Sequence, residues 1–482
     1  MKRLFNHIGL YIASFTLVFA VSSCDPGDFG DLNDNPNATT VPVTSALLTN
    51  AISGIGAPAA NTTTGSYAQY FSETQYPGVS LYTANVVAWD GVYAGVLYDL
   101  QNIIDNNTNP ETAPLVAING SNNNQLAVAR ILKAFRYMYL TDQYGDIPYS
   151  AALKGDAQPI YDTQEAIYTD LFKELKEAVA QFDSGLPAKG DILFNGNITQ
   201  WKKFANSLRL ILALRVSDAK PDIGKAEFTS ALAANGGVIE SNADNAQLNF
   251  PGGAFKNPWF ALYDGRSDWA ISDVVVGVLK DLGDSRLQAF GQPNSSNDVV
   301  PVPYGVPRED VIAYTNAHPD YGLVLNAVHR TITAPQFLLT AAHVFLARAE
   351  AAQRGWTSEN VNAMYEAGIK ASFEQWGVFN GGAYEAYITN PKVSLASGDA
   401  LAKIGVQRWL AFYPDGTQGW SEWRRTGFPN LKPTPFALNT SKQIPRRYVY
   451  PATEPNLNGV NFQAAVTRLG GDSADTKVWW DK

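Results

Sequence analysis

Apolar positions recur at helical spacing along most of this chain. Trp89, Tyr93, Leu97, Leu100 and Ile104 fall on one face of a helix, because residues three and four apart share a side. Residues 126–144 predict a second helix, rich in alanine and aromatics. Ile167, Leu171, Leu175, Val179 and Phe182 continue the stripe, and Asp162 followed by Glu165 reads as a capping box at its start. Trp201, Phe204, Ala205, Leu208, Ile211 and Leu212 mark a fourth amphipathic helix. Stretches 337–354, 359–376 and 400–412 follow. The link between 337–354 and 359–376 is short, so the two predict an antiparallel hairpin of tetratricopeptide length. Residues 171–182 and 201–216 predict a related pair with a longer connection.

Between these elements the periodicity fails. Residues 106–124, 236–267, 290–326 and 381–397 are rich in Gly, Pro, Asn and aromatics. Stretches this long inside a compact protein are functional loops or hold short strands. The expected class is mostly α: a tetratricopeptide-like helical-hairpin scaffold with large irregular loop insertions and a few short strands.

The N-terminus follows a different pattern. Lys2 and Arg3 precede an apolar run, residues 8–21, of signal-peptide length. Val21-Ser22-Ser23 then leads into Cys24, the chain's one cysteine. A branched aliphatic residue, two small residues and a cysteine form a bacterial lipobox, in which the thiol takes a diacylglycerol and becomes the first mature residue. Residues 1–23 are therefore expected to be a signal peptide, 24–37 an acylated cysteine with a turn-rich, acidic leash, and 38–482 the folded domain. Asp31, Asn33 and Asn35 have the spacing of a calcium loop, but Pro36 replaces its glycine and Pro42 its bidentate glutamate, so no metal site is expected.

Composition narrows the function. Hydrophobic content of 45% against 17% charged residues describes a folded protein. Formal net charge is -9, with no basic stripe, which argues against nucleic acid as a partner. His318, His329 and His343 share no zinc-ligand spacing, and there is neither a Gly-x-Ser-x-Gly elbow nor a phosphate-binding glycine loop. A histidine such as His343 reads as a core residue. Asp142 with Asp146, and Glu422 with Asp415, are the best candidates for a glycosidase pair, but nothing singles them out. Arg424 and Arg425 read as loop ties, a role that suits the planar guanidinium fork. Trp89 and Tyr93 read as core.

Rings held in irregular segments are better candidates for binding. Tyr76 and Tyr82 flank Pro77-Gly78. Trp259, Tyr263 and Trp269 share a Gly/Pro-bounded stretch with Arg266 and Asp268, and Tyr304 sits in a Pro-Tyr-Gly turn. Such rings stack on the apolar face of a sugar, while Asp264, Arg266, Asp268 and Asn257 would satisfy its hydroxyls.

Several motifs, in order, resemble one family. They are Asp31-Leu-Asn-Asp-Asn-Pro-Asn-Ala38, Tyr139-Leu-Thr-Asp-Gln-Tyr-Gly-Asp-Ile-Pro-Tyr149, Leu346-Ala-Arg-Ala-Glu-Ala-Ala-Gln-Arg-Gly-Trp356 and Trp420-Ser-Glu-Trp-Arg-Arg-Thr-Gly-Phe-Pro429, with Ile444-Pro-Arg-Arg-Tyr-Val-Tyr-Pro451 after them. Together with the lipobox they resemble the SusD/RagB nutrient-binding lipoproteins of Bacteroidetes. The resemblance implies a non-catalytic protein on the outer membrane, facing the cell exterior. It implies an oligosaccharide or peptide ligand and a SusC-like TonB-dependent transporter, which the protein caps as a hinged lid. It implies no cofactor. Two positions depart from the family pattern: Ser285 stands where proline is common, and Ala342-His343 where an acidic residue is common.

Overall fold

A computed structural model describes residues 42–83 and 87–482. Cys24, the leash and the Asp31/Asn33/Asn35 spacing lie outside the described residues. Val43–Lys482 forms one compact unit.

Helices dominate this unit. They are α1 (Thr44–Ile55), α2 (Tyr98–Thr108), α3 (Asn122–Tyr144), α4 (Gln164–Gln181), α5 (Ile198–Arg215), α6 (Pro221–Leu232), α7 (Asp273–Leu282), α8 (Arg308–Ala317), α9 (Ala341–Gln353), α10 (Val361–Gln375), α11 (Gly381–Thr389), α12 (Ala400–Phe412), α13 (Gly416–Thr426) and α14 (Gly459–Leu469). Three two-stranded antiparallel sheets accompany them: β1 (Phe71–Glu73) with β5 (Trp269–Ile271), β2 (Ile147–Pro148) with β3 (Tyr161–Asp162), and β4 (Ala246–Leu248) with β6 (Gln336–Leu339).

The expected hairpin of α9 and α10 forms the most extensive helix pair. Gly368 makes this possible, since a Cβ there would stand 2.6 Å from Leu346 Cγ. The second expected pairing needs correction. Helix α4 packs chiefly on α3 and α5 chiefly on α6, with α4 against α5 a weaker contact between the two hairpins. The predicted capping box does not form, and the N-cap lies one residue later. Thr163 caps α4, its side chain accepting from Ala166 N, while Asp162 ends β3 and accepts from Ser150 N at 2.7 Å. The irregular stretches hold more helix than their composition suggests: α8 and α11 lie wholly inside them.

Buried charges tie the helices together. Glu350 of α9, Arg408 of α12, and Glu422 and Arg425 of α13 form a closed quartet. Arg425 donates to both Glu350 oxygens at 2.6 and 2.7 Å, and Arg408 to both Glu422 oxygens at 2.8 and 3.0 Å. Arg354 adds a third donor to Glu350 Oε1 at 2.9 Å, and every charge of the quartet keeps a partner away from water. Arg424 lies between the Trp420 and Trp480 rings and donates to the Arg446 and Asp142 carbonyls. Arg286, beside Ser285, pairs with Asp284 at 2.6 Å and reaches Ser372 of α10 and Gln407 of α12. Near the chain's end, Trp480 is buried against α3, donating to Asp142 Oδ1 at 2.9 Å.

Candidate functional site

The β1/β5 ladder pairs Phe71 with Ile271, Ser72 with Ala270 and Glu73 with Trp269. It continues past the strands: Thr74 N donates to Asp268 O at 2.9 Å and Thr74 Oγ1 to Ser267 O at 2.7 Å. Segments 74–83 and 264–268, far apart in sequence, therefore run side by side. Glu73 shapes the first of them. Its buried carboxylate accepts from Ser80 N and Ser80 Oγ, both at 2.9 Å, and so folds the intervening loop into a tight arch. Burial pushes the Glu73 carboxyl pKa up, and the Ser80 hydrogen bonds pull partly the other way.

The arch presents Tyr76, whose side chain is 54% exposed. Two guanidinium groups border its ring: Arg308 Cζ at 5.3 Å from the centroid and Arg266 Cζ at 5.8 Å. Arg308, the first residue of α8, also donates to Gln75 O at 3.1 Å. Arg266 pairs with Asp268 at 2.7 Å. Tyr321 reaches Ser267 O, and Tyr263 donates to Trp269 O at 3.1 Å while accepting from Val324 N at 2.8 Å. Tyr263, Trp269 and Tyr321 are half-buried. An exposed ring with donors and a carboxylate beside it suits a ligand with both an apolar face and hydroxyl groups.

Four of the predicted residues belong elsewhere. Tyr82, Trp259 and Tyr304 are buried in the core. Tyr304 donates to Ser66 O at 2.8 Å, Trp259 packs edge-on to Phe71 at 5.4 Å, and Tyr82 packs edge-on to Tyr67 at 6.4 Å. Irregular segments that cross a core use their own rings as pins, so a ring outside regular structure need not be exposed. Asn257 is also fully buried: it caps a short helix through Trp259 N and holds Ala334 O. Asp264 is exposed and paired with Lys256 at 2.6 Å. Sequence reasoning missed Arg308 and Tyr321, which come from a stretch read as one loop. The helix-start signal Pro307-Arg-Glu-Asp310, proline followed by acidic residues, could have placed Arg308 at a helix N-terminus.

The candidate acids each have a structural task. Asp142 accepts from Tyr168 and Trp480, Asp146 from Gln164 N and Arg468, Asp415 from Tyr139 and Gln418 N, and Glu422 belongs to the quartet. His343 lies in the core. Its Nδ1 accepts from Thr340 N and Thr340 Oγ1 accepts from His343 N, which completes a capping box at α9. Among the described residues no group of three His, Cys, Asp or Glu is placed to hold a metal ion.

A family profile described as "SusD-like, starch-binding associating with outer membrane" matches residues 36–451. A chitin-binding protein of known structure is 29% identical, with a TM-score of 0.79 over 91% of this chain and 99% of that one. A chitin-binding SusD homolog from Flavobacterium johnsoniae is 27% identical, TM-score 0.75, over 90% and 99%. A SusD homolog from Bacteroides uniformis is 26% identical, TM-score 0.77, over 91% and 99%. A search of curated protein sequences finds no match.

Proposed function

Because the chain belongs to the SusD-like family, we propose that it captures an oligosaccharide at the bacterial outer membrane and passes it intact to a TonB-dependent transporter, moving over that partner as a hinged lid. Tethering through acylated Cys24 keeps it at the surface. The observation that carries the reading is Tyr76: a large ring, more than half exposed, held on a braced arch between two arginines and next to Asp268. A ring in that position is ill-suited to core packing and well suited to a pyranose face. Two relatives are described as chitin-binding, so chitin-type oligosaccharides are the first ligand class to test. Hydrolysis is not part of the reading, because the best paired acids are already bound up in the fold.

Titration calorimetry with chitin and starch oligosaccharides tests this. Micromolar affinity, roughly -8 kcal/mol, suffices for capture and release. Tyr76→Ala is expected to weaken binding about fivefold, since one stacked ring contributes about 1 kcal/mol. Heat with no glycan, or new reducing ends over time, would overturn the reading.

A further inference from the structure

Three segments meet where the compact unit begins. Ser45 Oγ, at the start of α1, donates to Asn119 Oδ1 at 3.1 Å, and Thr49 Oγ1 donates to Gly190 O at 2.8 Å. Ser121 N donates to Leu186 O at 2.9 Å and Lys189 N to Asn119 O at 2.7 Å. Gly120 fits because a Cβ there would stand 2.7 Å from Pro187 O. The result is one stitched tip built from residues 43–49, 113–121 and 186–190.

Large apolar side chains stand out from this tip. Val43 is 42% exposed, Leu115 48%, Leu186 62% and Ile118 70%. Residues 42–49, 113–124 and 184–190 carry one ionisable side chain, Lys189. Two acids lie just beyond: Glu111, exposed, and Asp183, partly exposed, which accepts from Ser121 Oγ and Gly185 N, both at 2.8 Å. In a chain of net charge -9, three surface segments with one ionisable side chain between them are unusual. Four protruding side chains on three segments are also more than the scattered surface apolar residues of an ordinary monomer.

We propose that this tip rests on the lipid surface and seats Val43, Leu115, Ile118 and Leu186 at the boundary between headgroups and acyl chains. The proposal rests on the tethering of Cys24. Eighteen residues, Asp25–Pro42, separate the anchor from Val43. The covalent length of eighteen residues cannot exceed about 60 Å. With the anchor in the bilayer, Val43 is the described end of that tether, and the tip that carries it is the part of the compact unit whose distance from the lipid the tether limits first. Contact there immerses apolar area, and Lys189 extends its stem along that area towards lipid phosphate. The tip gives the tethered protein a preferred face towards the membrane, where a leash alone leaves it free to turn.

The test uses the full chain, purified acylated from cells and placed in phosphatidylethanolamine/phosphatidylglycerol vesicles. Cys24 is the only cysteine and its sulfur carries the lipid, so Ile118→Cys, Leu186→Cys and Val460→Cys each accept one nitroxide label. Val460, 82% exposed on α14, is the control. The ratio of oxygen to nickel-chelate accessibility is expected to rise severalfold at 118 and 186 on vesicle binding and to stay unchanged at 460. No rise in vesicle-bound, acylated protein would overturn the proposal. So would a rise seen only when the transporter is added, which would make the tip a protein contact. A protein mass without acyl chains would instead overturn the tethering.

Discussion

His343 and Asp415 line one small cavity beneath Val328 and are oppositely perturbed. Burial pushes the His343 pKa down to about 4 and the Asp415 pKa up to about 7. A histidine held neutral contributes stability above its unfolded value of about 6.5 and loses it as pH falls through 4. An aspartic acid held protonated contributes stability below about 3.9 and loses it as pH rises through 7. Between pH 4.5 and 6.5 the two slopes oppose each other, each about 1.4 kcal/mol per pH unit. Melting temperatures across that window test this: Asp415→Asn is expected to leave a melting temperature that rises with pH, and His343→Gln one that falls. The same histidine shows what the sequence reveals. Its place in the core was legible from its isolation among residues that form no metal or catalytic spacing. Its capping role was not, because a histidine at the third helical position satisfies the backbone as an acidic residue would, and only the geometry shows it. The arginine pair of the Trp-Arg-Arg motif read correctly as ties. Arg425→Met breaks the quartet, leaves Glu350 with Arg354 and Arg408 alone and is expected to cost about 3 kcal/mol in urea unfolding.

Element existence was easier to read than element partners. The stripes of α4 and α5 announced themselves through 3.6-residue periodicity and α3 through its alanines and aromatics, and α12 runs over the residues expected of it. Which helix each one meets depends on contacts made across long gaps. The α4 stripe gave no means of choosing between α3 and α5. Helices α8 and α11 were hidden because they are short, 10 and 9 residues, and their neighbours are glycine, proline and asparagine. The candidate site suffered most: its two edges lie nearly two hundred residues apart and are joined by a three-residue ladder. Close approaches between elements are correspondingly unforgiving. A Cβ on Gly416 would lie 2.1 Å from Gly65 N, where α13 crosses the short helix Thr62–Tyr67. Gly416→Ala is therefore expected to lose about 3 kcal/mol, at the upper end of overpacking costs, as measured by chemical denaturation. Glu73→Ala should act differently. It leaves the buried Ser80 N and Oγ without their acceptor and frees the Tyr76 arch, so glycan affinity should drop, stability should fall by about 1–3 kcal/mol, and the Ser80 amide should exchange faster.

At the scale of the whole molecule, paired helices make a continuous stack from α1 to α6, which α5 joins to α9 and, through α9, to α10 and α12. The buried quartet stands on α9, α12 and α13, the Tyr76 arch follows β1, and the apolar tip lies beside the starts of α1 and α3. The chain's last residues close it: Trp480 has no exposed surface, and its indole completes the environment of Asp142 and Arg424. Removal of residues 478–482 strips a ring from a buried guanidinium and a donor from a buried carboxylate. The truncated chain is expected to collect in the insoluble fraction, or to melt far below the full-length protein in a thermal scan. This arrangement also sets an order. Asp142 leaves the ribosome 338 residues before its indole partner Trp480. Until residues 478–482 have been made, the centre of the unit lacks a ring and a donor, and native packing has to wait for them.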